Sequence, residues 1–221
     1  MTPEQIRVIE DILGANDSVA AQNRASLDAQ GVHCINVMAS PGAGKTTLIM
    51  HTALALRERL RVAVIEGDVA SNVDADRVRA AGFAAVQINT GGGCHLDAPQ
   101  VRSALRQLTL DHIDLLFIEN VGNLICPVGF DLGEHTRLAI TSVPEGDDKP
   151  HKYPGIYSAV DVLIITKTDL LPYVAFDVGE FRRLVRSLNP DIAIFEVACT
   201  TGAGMDEWVE WLFKRVTAGR P

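Results

Sequence analysis

Short apolar runs recur along the chain at strand length, and stretches with helical spacing of apolar residues separate them. Most of these runs lack the alternation of a half-exposed strand, which is typical of parallel strands that helices cover on both faces. The regular succession of strand-length runs and helical stretches predicts an α/β fold with a mostly parallel sheet and helices on both of its faces. The predicted strands are Cys34–Met38, Val62–Ile65, Ala85–Ile88, Leu115–Val121, Leu138–Val143, Val162–Thr166 and Ile192–Val197.

Helices are predicted at both ends of the chain. Thr2, Pro3 and Gln5 form a favourable helix start, with a capping threonine, a proline at the first helical position and a capping-box glutamine. Apolar residues then recur at helical spacing to about Leu27. The same spacing over Met205–Val216 predicts a closing helix.

The chain length of 221 residues favours one domain over two independent ones. The prediction is therefore a single domain over residues 1–221, with the helix of residues 1–30 packed on it. The segments Cys126–Thr136 and Glu145–Pro154 lack a periodic pattern and are predicted as mobile, functional loops.

Composition narrows the range of partners and compartments. The formal net charge of −8 argues against binding to nucleic acid or to an anionic membrane by bulk electrostatics. No apolar run approaches the roughly 20 residues that span a bilayer, and the polar N-terminus does not resemble a signal peptide. Four cysteines without a secretory context suggest reduced thiols, so the expected location is the cytoplasm.

The segment Ala39–Thr46 follows a predicted strand, opens a predicted helix and matches the phosphate loop GxxxxGK(S/T), with Ala39 at the first glycine position. Backbone N–H groups of such a loop point at phosphate oxygens, and glycines let the backbone approach closely. Lys45 is expected to neutralise the β- and γ-phosphates and Thr46 to ligate Mg²⁺. The alternative is an accidental Gly/Pro turn. The predicted phosphate-binding residues are Gly42, Ala43, Gly44, Lys45, Thr46 and Thr47.

A second motif favours guanine over adenine. The run from Thr166 to Asp169 ends an apolar strand and resembles the guanine-reading NKxD motif, with Thr166 in place of asparagine. Asp169 would accept hydrogen bonds from N1–H and the 2-amino group of guanine, whereas adenine offers neither donor. Lys167 would cover the base plane, and Cys199 and Thr200 follow the last strand where a second base-contacting loop is expected. The alternative is that Asp169 caps a helix.

Acidic residues end two predicted strands on the phosphate side of the sheet. Asp68 and Glu119 are the candidates for contacts with Mg²⁺, beside Thr46, and for orienting the attacking water. They complete the predicted catalytic set with Lys45. Asp74 and Asp76 could serve instead, although acidic residues at a helix start are more often dipole partners.

Cys94, His95 and Cys126 lie at or beyond the carboxyl ends of predicted strands, on this same side of the sheet. Two thiols and an imidazole suit Zn²⁺ or Ni²⁺. Their spacing alone does not distinguish a metal site from two small buried cysteines and a surface histidine. Two copies of the chain, related by a two-fold axis, would supply four thiolates. Cys34 and Cys199 are interpreted as structural.

Over nearly its whole length the sequence resembles the HypB family, the nickel-insertion GTPases of hydrogenase maturation. The resemblance rests on Glu66–Asp68, Gln87–Gly91, Cys94–Ala98, Phe117–Pro127, Glu145–Asp148 and Thr166–Asp169. It implies a dimeric P-loop GTPase that carries nickel, or binds zinc, at Cys94, His95 and Cys126. It also implies delivery, with a partner nickel metallochaperone, to the large subunit of [NiFe]-hydrogenase. The N-terminus lacks the cysteine cluster or histidine run of many members, which argues against nickel storage.

Three alternative functions share parts of this pattern. A urease-maturation GTPase shares the nucleotide core, but its metal motif resembles Cys-Pro-His, whereas Val128 follows Cys126-Pro127 in this chain. A metal-buffering protein with a structural nucleotide would show no turnover. An ATP-driven partitioning or transport subunit is disfavoured by Asp169.

Overall fold

A computed structural model describes residues 3–69 and 73–218, with side chains described from residue 13 onward. The helices are α1 Pro3–Ala29, α2 Lys45–Leu56, α3 Val73–Ala80, α4 Ala98–Leu105, α5 Lys149–Lys152, α6 Pro154–Ala159, α7 Val178–Leu188 and α8 Met205–Thr217. The strands are β1 His33–Ala39, β2 Val62–Asp68, β3 Ala84–Asn89, β4 Leu115–Glu119, β5 Thr136–Ser142, β6 Val162–Thr166 and β7 Ala193–Val197. All of the predicted strands are confirmed.

The strands form one sheet in the order β3-β2-β4-β1-β5-β6-β7, and every neighbouring pair is parallel. β1 is therefore central, and the chain crosses from one half of the sheet to the other after β4. Loops that follow parallel strands all emerge at one edge, which is where α/β proteins of this topology bind ligands. The predicted phosphate loop follows β1, at the centre of that edge.

Helices cover both faces of the sheet, as predicted. Ile35 and Val37 of β1 pack with the buried faces of α2 and α8, where Trp208 is fully buried. Cys34 of the same strand points to the other face, into a cluster with α1 and α4. A third cluster lies under α6 and α7 and includes the fully buried Phe181. Burial on both faces explains why β1, β4 and β6 read as continuous apolar runs.

Asparagine side chains attach the N-terminal helix to the rest of the fold. Asn23 is buried and donates to the carbonyls of Ala98 and Leu132, both at 3.0 Å. Asn16 donates to the carbonyl of Asp131 at 2.8 Å. Over its described side chains, α1 therefore packs against α4 and the segment that precedes β5. The predicted capping by Thr2 and Gln5 lies outside the described side chains.

Two details of the predicted pattern are wrong. The fourth strand ends at Glu119 rather than Val121, because the side-chain oxygen of Asn120 accepts the Val121 N–H at 3.0 Å and takes it out of the ladder. The two predicted loops also contain short helical segments: the 3₁₀ turn Cys126–Gly129 lies in the first, and the second begins at the end of the 3₁₀ turn Val143–Glu145 and contains α5. Each has a proline within its first two positions, where the missing N–H is not needed.

None of the helices among the described residues is both long enough and apolar enough to cross a membrane.

Candidate nucleotide and metal site

The phosphate loop has the backbone that its glycines predict. Gly42 and Gly44 have φ values of 75° and 100°, a left-handed conformation that favours glycine. α2 begins at Lys45, so the loop N–H groups and the positive end of the helix dipole face the same space. Ala39 is the last residue of β1 and is fully buried in the core. Its methyl group therefore packs where the motif has its first glycine.

A cleft of about 570 Å³ lies in front of this loop. The loops that follow β2 and β4 form its other walls. Lys45 is largely buried and reaches the cleft from α2. The cleft is lined by Pro41, Gly42, Gly44, Lys45, Thr46, Thr47, Gly67, Asp68, Val69, Asp74, Arg77, Glu119, Asn120, Val121, Gly122 and Lys167. The residues predicted to bind phosphate and the acidic residues Asp68, Asp74 and Glu119 therefore line the same cleft.

Two buried carboxyl groups stand side by side behind the cleft. Glu66 of β2 pairs in register with Glu119 of β4, so the two side chains point the same way. Burial first, and then the neighbouring Glu119, raise the pKa of Glu66 to about 10. Burial also raises the pKa of Glu119, while Lys45 and the hydroxyl of Thr46 act in the opposite direction. Thr46 Oγ1 donates to Glu119 Oε1 at 3.0 Å.

The other acidic candidates, Asp68, Asp74 and Asp76, differ in whether they line the cleft. Asp68 ends β2 and Asp74 lies in the first turn of α3, and both line the cleft. Asp74 forms an ion pair with Arg77 at 3.3 Å, and Asp76 forms one with Arg79 at 2.7 Å. Asp76 is absent from the described lining of the cleft. The geometry thus retains Asp68, Asp74 and Glu119 as candidates for the metal and water roles.

The residues predicted to recognise the base surround a second, smaller pocket of about 360 Å³ next to the phosphate cleft. The hydroxyl of Thr200 donates to Asp169 Oδ2 at 3.1 Å, so the loops after β6 and β7 meet across it. Partial burial raises the pKa of Cys199, which favours an unreactive thiol. The pocket is lined by Ala43, Gly44, Thr47, Thr166, Lys167, Asp169, Leu170, Cys199 and Thr200.

Two side chains at the end of β6 and in the loop after it form hydrogen bonds with the backbone of the phosphate loop. The buried hydroxyl of Thr166 donates to the carbonyl of Ala43 at 2.7 Å. Lys167 has a left-handed backbone, with φ of 59°, and its Nζ donates to the carbonyl of Gly42 at 2.7 Å. Threonine in place of the usual asparagine therefore still supplies a donor to the phosphate loop.

Cys94, His95 and Cys126 come together beside the phosphate cleft. Their potential ligand atoms all lie within 4.8 Å of one another. The ring of His95 packs on Phe130 at a centroid distance of 4.0 Å, and burial lowers the pKa of His95, favouring the neutral imidazole that binds metals. The pKa of Cys94 is raised, chiefly by its contact with the Cys126 thiol.

The donor set fits a transition-metal ion. Ligands about 2.3 and 2.0 Å from one ion lie roughly 3.5 Å apart at a tetrahedral angle. Cys94 Sγ and His95 Nδ1 are 3.6 Å apart. Among the described residues, these three form the one group of three or more histidine, cysteine, aspartate or glutamate side chains that are close enough together to hold a metal ion. By contrast Cys34 is fully buried in the core, and burial raises the pKa of its thiol, in agreement with a structural role.

Sequence reasoning missed two kinds of residue at this edge. Glu66 was noted only as part of a motif, although a carboxylate inside an apolar strand was the signal for a buried acidic pair. Asn120 and Asn123 were not singled out. Asn120 is fully buried and accepts from the Leu96 N–H, while Asn123 donates to the carbonyl of Cys94 at 3.2 Å. Their partners are distant in sequence, so local pattern contains no sign of them.

The family profile described as CobW/HypB/UreG, nucleotide-binding domain, matches residues 33–196. The chain is 51% identical to hydrogenase maturation factor HypB of Azotobacter vinelandii over 207 residues, which are 94% of this chain and 68% of that protein. It is 43% identical to the probable HypB of Methanocaldococcus jannaschii over 209 residues, covering 95% of each.

Solved structures agree with these sequence relatives. The structure superimposes on HypB from Helicobacter pylori in complex with nickel with a TM-score of 0.89 and 36% identity, over 92% of this chain and 96% of that one. A signal recognition particle protein from Aeropyrum pernix, in complex with GDP, has a TM-score of 0.57 at 13% identity, over 84% of this chain and 49% of that one. That second likeness concerns the fold alone.

Proposed function

Since the chain belongs to the HypB family of hydrogenase maturation factors, within the CobW/HypB/UreG group of nucleotide-binding proteins, we propose that it is a GTP-hydrolysing nickel metallochaperone. Membership supports nucleotide hydrolysis and a role in hydrogenase maturation in general terms. The choice of GTP, the binding of nickel (or zinc) and the roles of individual residues are our proposal. The observation that carries it is the position of the thiol–imidazole cluster: Leu96, next to His95, packs on Gly67 and bonds to Asn120, and both of these residues line the phosphate cleft.

Hydrolysis would depend on placement and charge. The N–H groups from Gly42 to Gly44 and the ammonium group of Lys45 would hold the β- and γ-phosphates. Thr46, Glu119 and Asp68 all line the cleft and supply oxygen atoms that fit Mg²⁺, which when bound neutralises charge on the phosphates. Asp68 would orient the attacking water, with Asp74 as the alternative, since both line the cleft.

Base selection would be made by Asp169. Its carboxylate matches the two donors of guanine, and Thr200 holds the carboxylate in place. Lys167 is fixed by its bond to Gly42, so its alkyl stem forms one wall of the base pocket. With ATP, the carboxylate would lose both partners, at about 1.5–3 kcal/mol for each hydrogen bond to a charged group.

Nickel is the cargo in the proposed function and not a resident cofactor. Cys94 and Cys126 as thiolates, with neutral His95, supply three ligands, and a four-coordinate ion keeps one position for a further ligand or for transfer. We propose that a second copy of the chain completes the site across a two-fold axis, so that GTP and metal both favour a dimer. The proposed partners are a nickel metallochaperone and the large subunit of the hydrogenase.

Turnover and nickel binding test this function together. Purified protein is expected to hydrolyse GTP and to bind Ni²⁺ with a near-ultraviolet absorption from thiolate ligands. Cys94→Ala and Cys126→Ala should each abolish that absorption, whereas Cys199→Ala, a matched loss of one thiol outside the cluster, should keep it. Nickel binding without nucleotide turnover would mean that the protein buffers metal, and turnover without nickel binding would remove the chaperone role.

A further inference from the structure

Asn120 joins the end of β4 to both loops that carry the metal ligands. It is fully buried, and its Oδ1 accepts from the N–H of Leu96 and from the N–H of Val121, each at 3.0 Å. Leu96 directly follows Cys94 and His95, and Val121 starts the segment that ends at Cys126. A single amide oxygen therefore holds one metal-binding loop to the other.

The same side chain is attached to the strand that leads into the phosphate loop. Asn120 Nδ2 donates to Asn36 Oδ1 of β1 at 3.2 Å, and the Asn120 N–H donates to the carbonyl of Val37 at 3.0 Å. Asn36 in turn donates to the buried Glu134 at 3.2 Å. A buried polar network of this kind restricts its members to one arrangement, because every broken bond leaves a desolvated group.

Close packing links each metal-binding loop to a wall of the phosphate cleft. A Cβ placed on Gly67 would lie 2.6 Å from Leu96 Cδ1, so that side chain rests directly on the backbone next to Asp68. A Cβ placed on Gly122 would lie 2.9 Å from Cγ of Pro41, in the phosphate loop. Neither loop can move toward its neighbour without displacing it.

From these contacts we infer that Asn120 is a positioning residue that makes the two metal-binding loops respond together to the nucleotide. Displacement of the backbone at Gly67 acts on Leu96, displacement of Pro41 acts on Gly122, and both loops are held to one oxygen of Asn120. The nucleotide state thereby sets the separation between Cys94 and Cys126. The inference rests on the proposed function, in which GTP and nickel occupy these two sites.

Asn123 provides a matched comparison three positions along. Its side chain also bonds to both metal-binding loops, accepting from the Ile125 N–H at 2.9 Å and donating to the carbonyl of Cys94 at 3.2 Å. These two bonds lie within the metal-binding loops, whereas Asn120 also bonds to β1. Loss of Asn123 should loosen the metal cluster in every nucleotide state, whereas loss of Asn120 should uncouple the cluster from the nucleotide.

The test measures Ni²⁺ affinity by competition titration in GDP and in a non-hydrolysable GTP analogue, for the full chain and for Asn120→Ala and Asn123→Ala. The ratio of the two affinities is expected to lie at roughly 5- to 150-fold in the unaltered protein, the usual range of coupling between two sites. Asn120→Ala should reduce the ratio to less than about twofold. Asn123→Ala should weaken Ni²⁺ binding by a similar factor in both nucleotides and keep the ratio. An unchanged ratio in Asn120→Ala overturns the inference.

Amide hydrogen exchange on the unaltered protein tests the same point even if Asn120→Ala does not fold. Exchange at the Leu96 and Val121 amides is expected to slow together when the GTP analogue replaces GDP, and unequal changes at the two amides contradict the inference. A protein that neither hydrolyses GTP nor binds Ni²⁺ refutes the proposed function. A protein that does both, yet has equal Ni²⁺ affinity in the two nucleotides, refutes only the coupling through Asn120.

Discussion

The proposed base pocket and the proposed metal cluster lie on opposite sides of the phosphate loop and are attached to it differently. On the β6–β7 side, Thr166 and Lys167 bond directly to phosphate-loop carbonyls, both at 2.7 Å. On the β2–β4 side, the loops of Cys94 and Cys126 contact the phosphate cleft, among the described residues, through the packing of Leu96 on Gly67 and of Gly122 on Pro41. Direct bonds suit a pocket that must keep one shape for one base, whereas indirect contacts suit a site whose geometry changes with the nucleotide.

The largest effect is expected from a change in the phosphate loop, which lies between the two sites. Lys45→Ala deletes the buried ammonium group that faces the phosphate cleft, and turnover of GTP should fall by about 10²- to 10³-fold or more, as for other preorganised charge-stabilising groups. Single-turnover kinetics measure the loss, and circular dichroism verifies the fold. Lys149→Ala, which removes a lysine at the start of α5, is the control. Near-normal turnover in Lys45→Ala would exclude the assigned phosphate site.

The next change affects only the proposed base pocket. Asp169→Asn should weaken GTP binding by about 10- to 150-fold, because the charged acceptor for two guanine donors is lost. Xanthosine triphosphate should bind more tightly than before, since its 2-oxo group accepts from the new amide. Ni²⁺ affinity in the absence of nucleotide should be unchanged, and fluorescence titration with each nucleotide measures the exchange. Equal affinity of the unaltered protein for ATP and GTP would contradict guanine recognition.

The two sides also differ in how far the sequence predicted them. The phosphate loop and the base motif follow local patterns, so Gly42, Lys45 and Asp169 were predicted with their elements. Glu66 meets Glu119 only through the register of two strands, which a sequence pattern does not contain. Asn120 contacts a residue 24 positions away, and Thr166 one 123 positions away. The bond from the Thr166 hydroxyl to the carbonyl of Ala43 could therefore not be predicted from the sequence.

A third change concerns the acidic pair on the metal side of the phosphate loop. Because the pKa of Glu66 is raised from about 4.5 to about 10, the folded protein keeps a proton that the unfolded chain releases between these pH values. Stability of the nucleotide-free protein should therefore fall as pH rises through this window, by at most about 1.4 kcal/mol per pH unit.

Replacement of the acid by its neutral isostere should remove this dependence. Glu66→Gln is expected to unfold at a higher temperature than the unaltered protein at pH 8.5, with a smaller difference at pH 5.5. Thermal unfolding without nucleotide or Mg²⁺ measures both values. Glu207→Gln, at an exposed glutamate in α8, should show equal differences at the two pH values. A Glu66→Gln protein with the same pH slope as the unaltered one would mean that Glu66 is ionised when buried.

The smallest expected effect tests whether the base pocket depends on its direct bond to the phosphate loop. Thr166→Val keeps the shape of the side chain but removes the hydroxyl that donates to the carbonyl of Ala43. One neutral hydrogen bond contributes about 0.5–1.5 kcal/mol, so GTP and GDP affinity should both fall by roughly 2- to 10-fold. Thr166→Ser keeps the hydroxyl, and its affinity for both nucleotides should remain close to that of the unaltered protein.

Because this bond lies on the side of the base pocket, the ratio of Ni²⁺ affinities in GDP and in the GTP analogue should not change in Thr166→Val. A loss of that ratio without loss of nucleotide affinity would show that the two sides are less independent than their separate attachments indicate.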